Sequence, residues 1–239
     1  MDWKPSQGPI LMTMHLSRDL QKLHRTLLSM SSRVEDMIHQ AVNQLGDPNF
    51  EEAVKIAKLD DAIDELDVEI EEDCLKVLAL NQPVGVDLRR IATVMKISGE
   101  LERVADIAAN IAQRACGLAE SPEIPIPDRL QEMAHDAVDM LHRAIDAYVD
   151  LDSVKAMQVC ADDDSIDDMN RQIIEDVIAD MHRTPSLVEP LLHLFSASRQ
   201  IERVADHATN IAEDVVYLVE GTIIRHGRHF VQNQVERSS

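Results

Sequence analysis

The sequence predicts an all-α protein, folded as two tandem antiparallel three-helix bundles that arose by internal duplication. Three observations predict this. One 13-residue passage occurs twice, 100 positions apart, as LERVADIAANIAQ at 101–113 and IERVADHATNIAE at 201–213, with nine of its thirteen positions identical. Hydrophobic residues make up 45% of the 239, enough for a core, while aromatics are 3% and glycines only 7. That profile suits packed Leu, Ile, Val and Ala helices rather than sheets. Between Gly and Pro breaks, apolar residues recur at steps of three and four, the period of one helix face.

Each element follows from its own punctuation. Residues 1–15 read as an N-terminal extension, and the first helix runs from about Ser17 to Leu45. Gly46-Asp47-Pro48 stops it with a helix-ending glycine, a capping aspartate and a first-turn proline. The second helix carries Ile56, Leu59, Ile63, Leu66 and Ile70 and ends near Asn81, before Gln82-Pro83 and Gly85. The third carries Val94, Ile97, Leu101, Val104, Ala108, Ile111 and Ala115, completing a first bundle over 16–120. Three prolines in SPEIPIPD (121–128) make a linker ending in Asp128-x-x-Gln131, a capping-box-like start. Helix four spans roughly Arg129 to Val149, and helix five Val154 to His182 with Ile166, Met169 and Ile173 on its seam. After Thr184-Pro185, and with Pro190 at or in its first turn, helix six carries Leu194, Ile201, Val204, Ala208, Ile211, Val215 and Leu218 up to Gly221. The second bundle is therefore 129–221, with a tail over 222–239. DDAIDELDVEI (60–70) also matches DDSIDDMNRQI (163–173), so the duplication reaches beyond the ERVAD passage.

Charge narrows the function classes. Lys+Arg 23 against Asp+Glu 44 gives a net charge of -21, a field that repels nucleic acid and anionic lipid and attracts cations or basic protein surfaces. Cys74, Cys116 and Cys160 show no C-x-x-C spacing and read as free thiols in a reducing compartment. With no secretory h-region and no uncharged apolar stretch of about 18 residues, the expectation is a cytoplasmic protein without membrane insertion.

The repeated Glu-x-x-x-Asp concentrates the chemistry. Glu102 and Asp106, like Asp60 and Asp64, each follow a seam position by one residue, so they border the buried stripe at about 100° from it. Adjacent antiparallel helices would bring Asp60, Asp64, Glu102 and Asp106 into one oxygen-rich patch, with Asp163, Asp167, Glu202 and Asp206 as its twin. A solvated acidic face is the plain reading of any one pair. The border position and the recurrence on two helices of both halves favour metal ions instead. Mg, Mn, Ca and iron prefer such ligands, while His207 beside Asp206 opens the second patch to a softer ion such as Zn. Glu132-x-x-His135 has a di-iron spacing but occurs once, where such bundles need two. Asn110 and Asn210 are expected to bond between helices, Arg103 and Arg203 to neutralise nearby carboxylates, and Arg89 and Arg90 to make surface salt bridges or meet an anion. No Gly-rich phosphate loop, G-x-S-x-G elbow or Cys/His pairing is present, so no catalytic residue is predicted; a carboxylate-bridged oxidase or phosphohydrolase is the alternative.

LALNQPVGVDLRRI (78–91) is similar to a LALQQPVAxDLRxI passage of the PhoU family, and both ERVAD repeats resemble that family's ERIGD-HAxNIAE signature. The resemblance runs from His15 to Gly221. Ala105 and Ala205 stand where the signature has glycine, and Ile107 where it has histidine. The resemblance implies a homodimeric, non-enzymatic regulator of phosphate uptake that binds metal ions or clusters through the eight carboxylates named above. It also implies two partners, the phosphate ABC transporter ATPase and a PhoR-like sensor histidine kinase, whose starvation signalling it damps when phosphate is plentiful.

Overall fold

In a computed structural model that describes residues 8–120 and 124–224, six helices follow one another: α1 (Gly8–Gly46), α2 (Phe50–Asn81), α3 (Val86–Glu120), α4 (Asp128–Asp150), α5 (Ser153–Arg183) and α6 (Val188–Glu220). A single 3-10 turn, Pro185–Leu187, leads into α6, and no strand occurs among the described residues. Helices α1, α2 and α3 pack on one another, as do α4, α5 and α6. The two halves then join through α3 against α6, the most extensive contact in the molecule, and through α1 against α4. One continuous core results, so the halves are fused along their length rather than strung in tandem like beads.

The seams of α3 and α6 are as the spacing predicts. All seven apolar positions named on each are buried. On α2 the prediction needs correction: Ile56, Ile63, Ile70 and Val77 are buried at seven-residue intervals, but Leu59 is 43% exposed and Leu66 only partly covered. The reason is position. α2 packs on α1 and α3 at the rim of the bundle, whereas α3 lies between α1, α2 and α6 and must bury a wider face.

The breaks also differ in detail. α1 begins at Gly8 rather than Ser17, so 8–15 are helical. The cap of α2 is Asn49, whose side chain accepts from the backbone N–H of Glu51 and Glu52, and not Asp47 with Pro48 in the first turn. Asp128 is already helical, Pro127 holds the cap position with no side-chain bond, and the expected capping box is not formed. Gly221 closes α6 with φ 74°, a left-handed conformation that glycine adopts without strain. Residues 124–127 connect α3's half to α4, with Ile124 and Ile126 against the core; residues 121–123 of the predicted linker and the tail beyond 224 lie outside the described residues.

Candidate metal centre

The first acidic patch forms where α2 runs beside α3. Asp60 and Glu102 are half-buried, Asp64 and Asp106 exposed. Loss of hydration, then the charges of Asp106 and Asp64, push the Asp60 carboxyl up to about 7. Asp64 and Glu102 are raised for the same reasons, burial first and Asp106 next. The charge of Asp106 thus acts on Asp60, Asp64 and Glu102 alike, across the α2–α3 contact. Asp60 Oδ1 is buried with no hydrogen-bond partner.

The twin patch lies between α5 and α6. Burial, followed by Asp206 and Asp167, pushes Asp163 up to about 6. Asp206 is raised by burial, Glu202 and Asp167. Glu202 is raised chiefly by burial, against the opposing pull of Arg199, and only 9% of it is exposed. Here too one oxygen, Glu202 Oε2, is buried without a partner. Both patches thus offer hard oxygen donors with an unsatisfied buried lone pair, which fits an oxygen-preferring cation. Among the described residues no three or more His, Cys, Asp or Glu side chains already form a group able to hold an ion, so ligation would require these carboxylates to draw together.

The two patches are not equivalent, and one cause is a single residue. Arg199 donates to Glu202 at 2.8 Å, while the matching position three residues before Glu102 is Gly99. A Cβ at Gly99 meets nothing within 4 Å. Gly99→Arg should therefore supply the missing partner of Glu102 and relieve a mid-helix glycine, raising the unfolding free energy by about 1 kcal/mol. Thermal unfolding in metal-free buffer checks this, and an unchanged or lower midpoint would count against the pairing.

Several predicted side chains do something else. His207 acts on the second patch, where its charge opposes the upward shift of Asp206, and it also reaches the other half of the molecule. Its Nδ1–H donates across α6–α3 to Glu100 at 2.7 Å, and Asn210 Nδ2 donates to the same carboxylate at 3.0 Å. The predicted interhelical bond of Asn210 is thus present, but Asn110 bonds to Asp106 O on its own helix. Arg103 neutralises nearby carboxylates as expected, pairing with Glu100 and also opposing the upward shift of Glu102, whereas Arg203 bonds to Gln200. Arg90 meets Asp87, and Arg89 donates to Leu218 O at the end of α6. His135 sits on the surface against Gln131 O. Glu100 was missed because its partners on α6, His207 and Asn210, lie more than 100 residues away; burial pushes its carboxyl up, and His207 and Asn210 together outweigh that and hold it below its ordinary value. Lys96, which pairs with the buried Asp214 at 2.5 Å, was missed for the same reason.

A PhoU domain matches residues 27–115 and again 130–215, one copy in each half. The chain belongs to the PhoU family. It is 33% identical to the phosphate-specific transport system accessory protein PhoU homolog of Pseudomonas aeruginosa, over 95% of this chain and 96% of that one. The homolog of Aquifex aeolicus is 34% identical over 89% and 96% of the respective chains. Among solved structures, PhoU from Pseudomonas aeruginosa superposes with a TM-score of 0.84 at 32% identity, covering 86% of this chain and 99% of that chain. The phosphate transport system regulatory protein PhoU from Streptococcus pneumoniae gives 0.81 at 27%, over 87% and 98%. The tandem helical architecture is thus shared with PhoU proteins, and no described helix is long and apolar enough to cross a membrane.

Proposed function

We propose that this protein is a cytoplasmic, non-enzymatic accessory regulator of phosphate uptake, acting as a homodimer between the phosphate ABC transporter ATPase and a PhoR-like sensor kinase. The observation that carries the proposal is similarity along nearly the whole chain to accessory proteins of phosphate-specific transport systems. The physics of the surface supports it: long helical faces in a chain of net charge -21 suit docking onto basic protein surfaces, steered by charge and weakened by salt.

Asp60, Asp64, Glu102 and Asp106 would hold one metal ion or cluster, and Asp163, Asp167, Glu202 and Asp206 a second, iron, manganese, magnesium or zinc being the candidates. A bound ion would neutralise the crowded charge and tie α2 to α3, and α5 to α6. Elemental analysis after gel filtration should show metal that falls by about half in Glu202→Ala/Asp206→Ala. Equal metal in variant and wild type would remove the second site. Deleting the gene should leave starvation-responsive genes switched on in high phosphate. Normal repression in the deletion strain, with no capture of transporter or kinase at low ionic strength, would transfer support to the metal-enzyme alternative, which turnover assays would then address.

A further inference from the structure

Four buried side-chain atoms among the described residues have no hydrogen-bond partner: the two patch oxygens, Thr93 Oγ1 and Arg114 Nε. The last is the unusual one. A half-buried guanidinium in so acidic a chain would be expected to find a carboxylate, yet none of the described carboxylates pairs with Arg114. The antiparallel register of α3 and α6 explains why. Lys96 meets Asp214 and Glu100 meets Asn210, and the same register sets Arg114 opposite Ser196, where the sequence offers no charge.

Arg114 lines a cavity of about 450 Å³ at the end of the α3–α6 crossing, with Gln113, Gly117 and Glu120 of α3, Phe50 of α2, and Glu189 and His193 of α6. Gly117 makes room for the His193 imidazole, because a Cβ there would come within 2.6 Å of the ring. The cavity volume falls within the about 300–1,000 Å³ of small-ligand sites.

We propose that this cavity binds a phosphoryl group, as inorganic phosphate or as the phosphate of a small ester such as a nucleotide. The terminal guanidinium nitrogens of Arg114, the Gln113 amide and a His193 ring N–H are donors for phosphoryl oxygens, while the sealed Nε lies behind them. Glu120 and Glu189 accept from a protonated oxygen, which phosphate carries near neutral pH and sulfate does not. The exposed ring of Phe50, 68% accessible, offers a stacking surface to an ester's base. The site is separate from the acidic patches and does not depend on metal.

Titration calorimetry on the full chain tests it with inorganic phosphate, adenosine monophosphate and sulfate at matched ionic strength. Phosphate or the nucleotide should bind, sulfate should bind at least about tenfold more weakly, and Arg114→Gln should weaken binding by about tenfold or more without lowering the unfolding midpoint. Binding of phosphate alone identifies the free anion as the ligand, and binding of the nucleotide alone identifies an ester. Gly117→Ala displaces the His193 ring while favouring the helix, so it should weaken binding in a folded protein even if Arg114→Gln unfolds. No binding by wild type, equal binding of sulfate, or wild-type affinity in a folded variant overturns the proposal.

Discussion

Ile111→Ala is expected to lower the unfolding free energy by about 2 to 5 kcal/mol, a large share of the about 5 to 15 kcal/mol typical of a folded protein. Ile111 is fully buried on α3, which packs on α1, α2 and α6. Removing three carbons there leaves a cavity that three neighbouring helices cannot all close, so lost transfer energy and lost dispersion contacts add. Leu59→Ala is the control. Leu59 lies on the same kind of apolar spacing, but it is 43% exposed at the rim, and its truncation should cost under about 1 kcal/mol. Urea denaturation with an unchanged slope distinguishes the two. Equal losses would mean that Leu59 on α2 is as buried as Ile111 on α3, and the rim placement of α2 would be wrong.

Asp60→Asn should stabilise the metal-free protein at alkaline pH and leave it unaltered in acid. The folded-state pKa of Asp60 is raised to about 7 by burial and by Asp106 and Asp64, above an unfolded value of about 3.9. The folded state therefore holds this proton more tightly than the unfolded one. Stability falls as pH rises between those two values, and the deficit is complete above about pH 7. With solvent reaching much of the carboxyl, screening reduces the penalty to about 1 to 2 kcal/mol. In unfolding measurements the variant should match wild type near pH 4 and exceed it by about that amount at pH 8. Saturating divalent cation should abolish the wild-type deficit if the patch is a metal site. A gain that is the same at every pH would show that the substitution acts by something other than relief of ionisation.

Local pattern carried much of the candidate site. Glu102 and Asp106 are one helical turn apart and border a seam, and that spacing alone places them on a common flank. The same pattern on α2 and α5 supplied Asp60, Asp64, Asp163 and Asp167, and the raised carboxyls of Asp60, Asp64 and Asp163 each owe part of their shift, after burial, to other carboxylates of the rows. His207 has a partner that no local spacing announces: one residue past Asp206 the helix has turned by about 100°, and Nδ1–H reaches Glu100 on α3 while its charge still acts on Asp206. Arg199 escaped notice because its role shows only beside the Gly99 that replaces it in the other half.

What the sequence by itself determined was the helices, their duplication, and the acidic rows along their flanks, since periodicity, breakers and i,i+4 spacing are properties of a single helix. The tertiary structure decided that α3 and α6 close the two halves into one core. It also decided that Glu100 gathers His207 and Asn210, that Lys96 meets Asp214, and that Arg114 faces a cavity without a carboxylate partner. These pairings depend on the axial register and rotation of two helices about a hundred residues apart in the chain. Side-chain packing over the whole interface sets that register, and no local spacing encodes it.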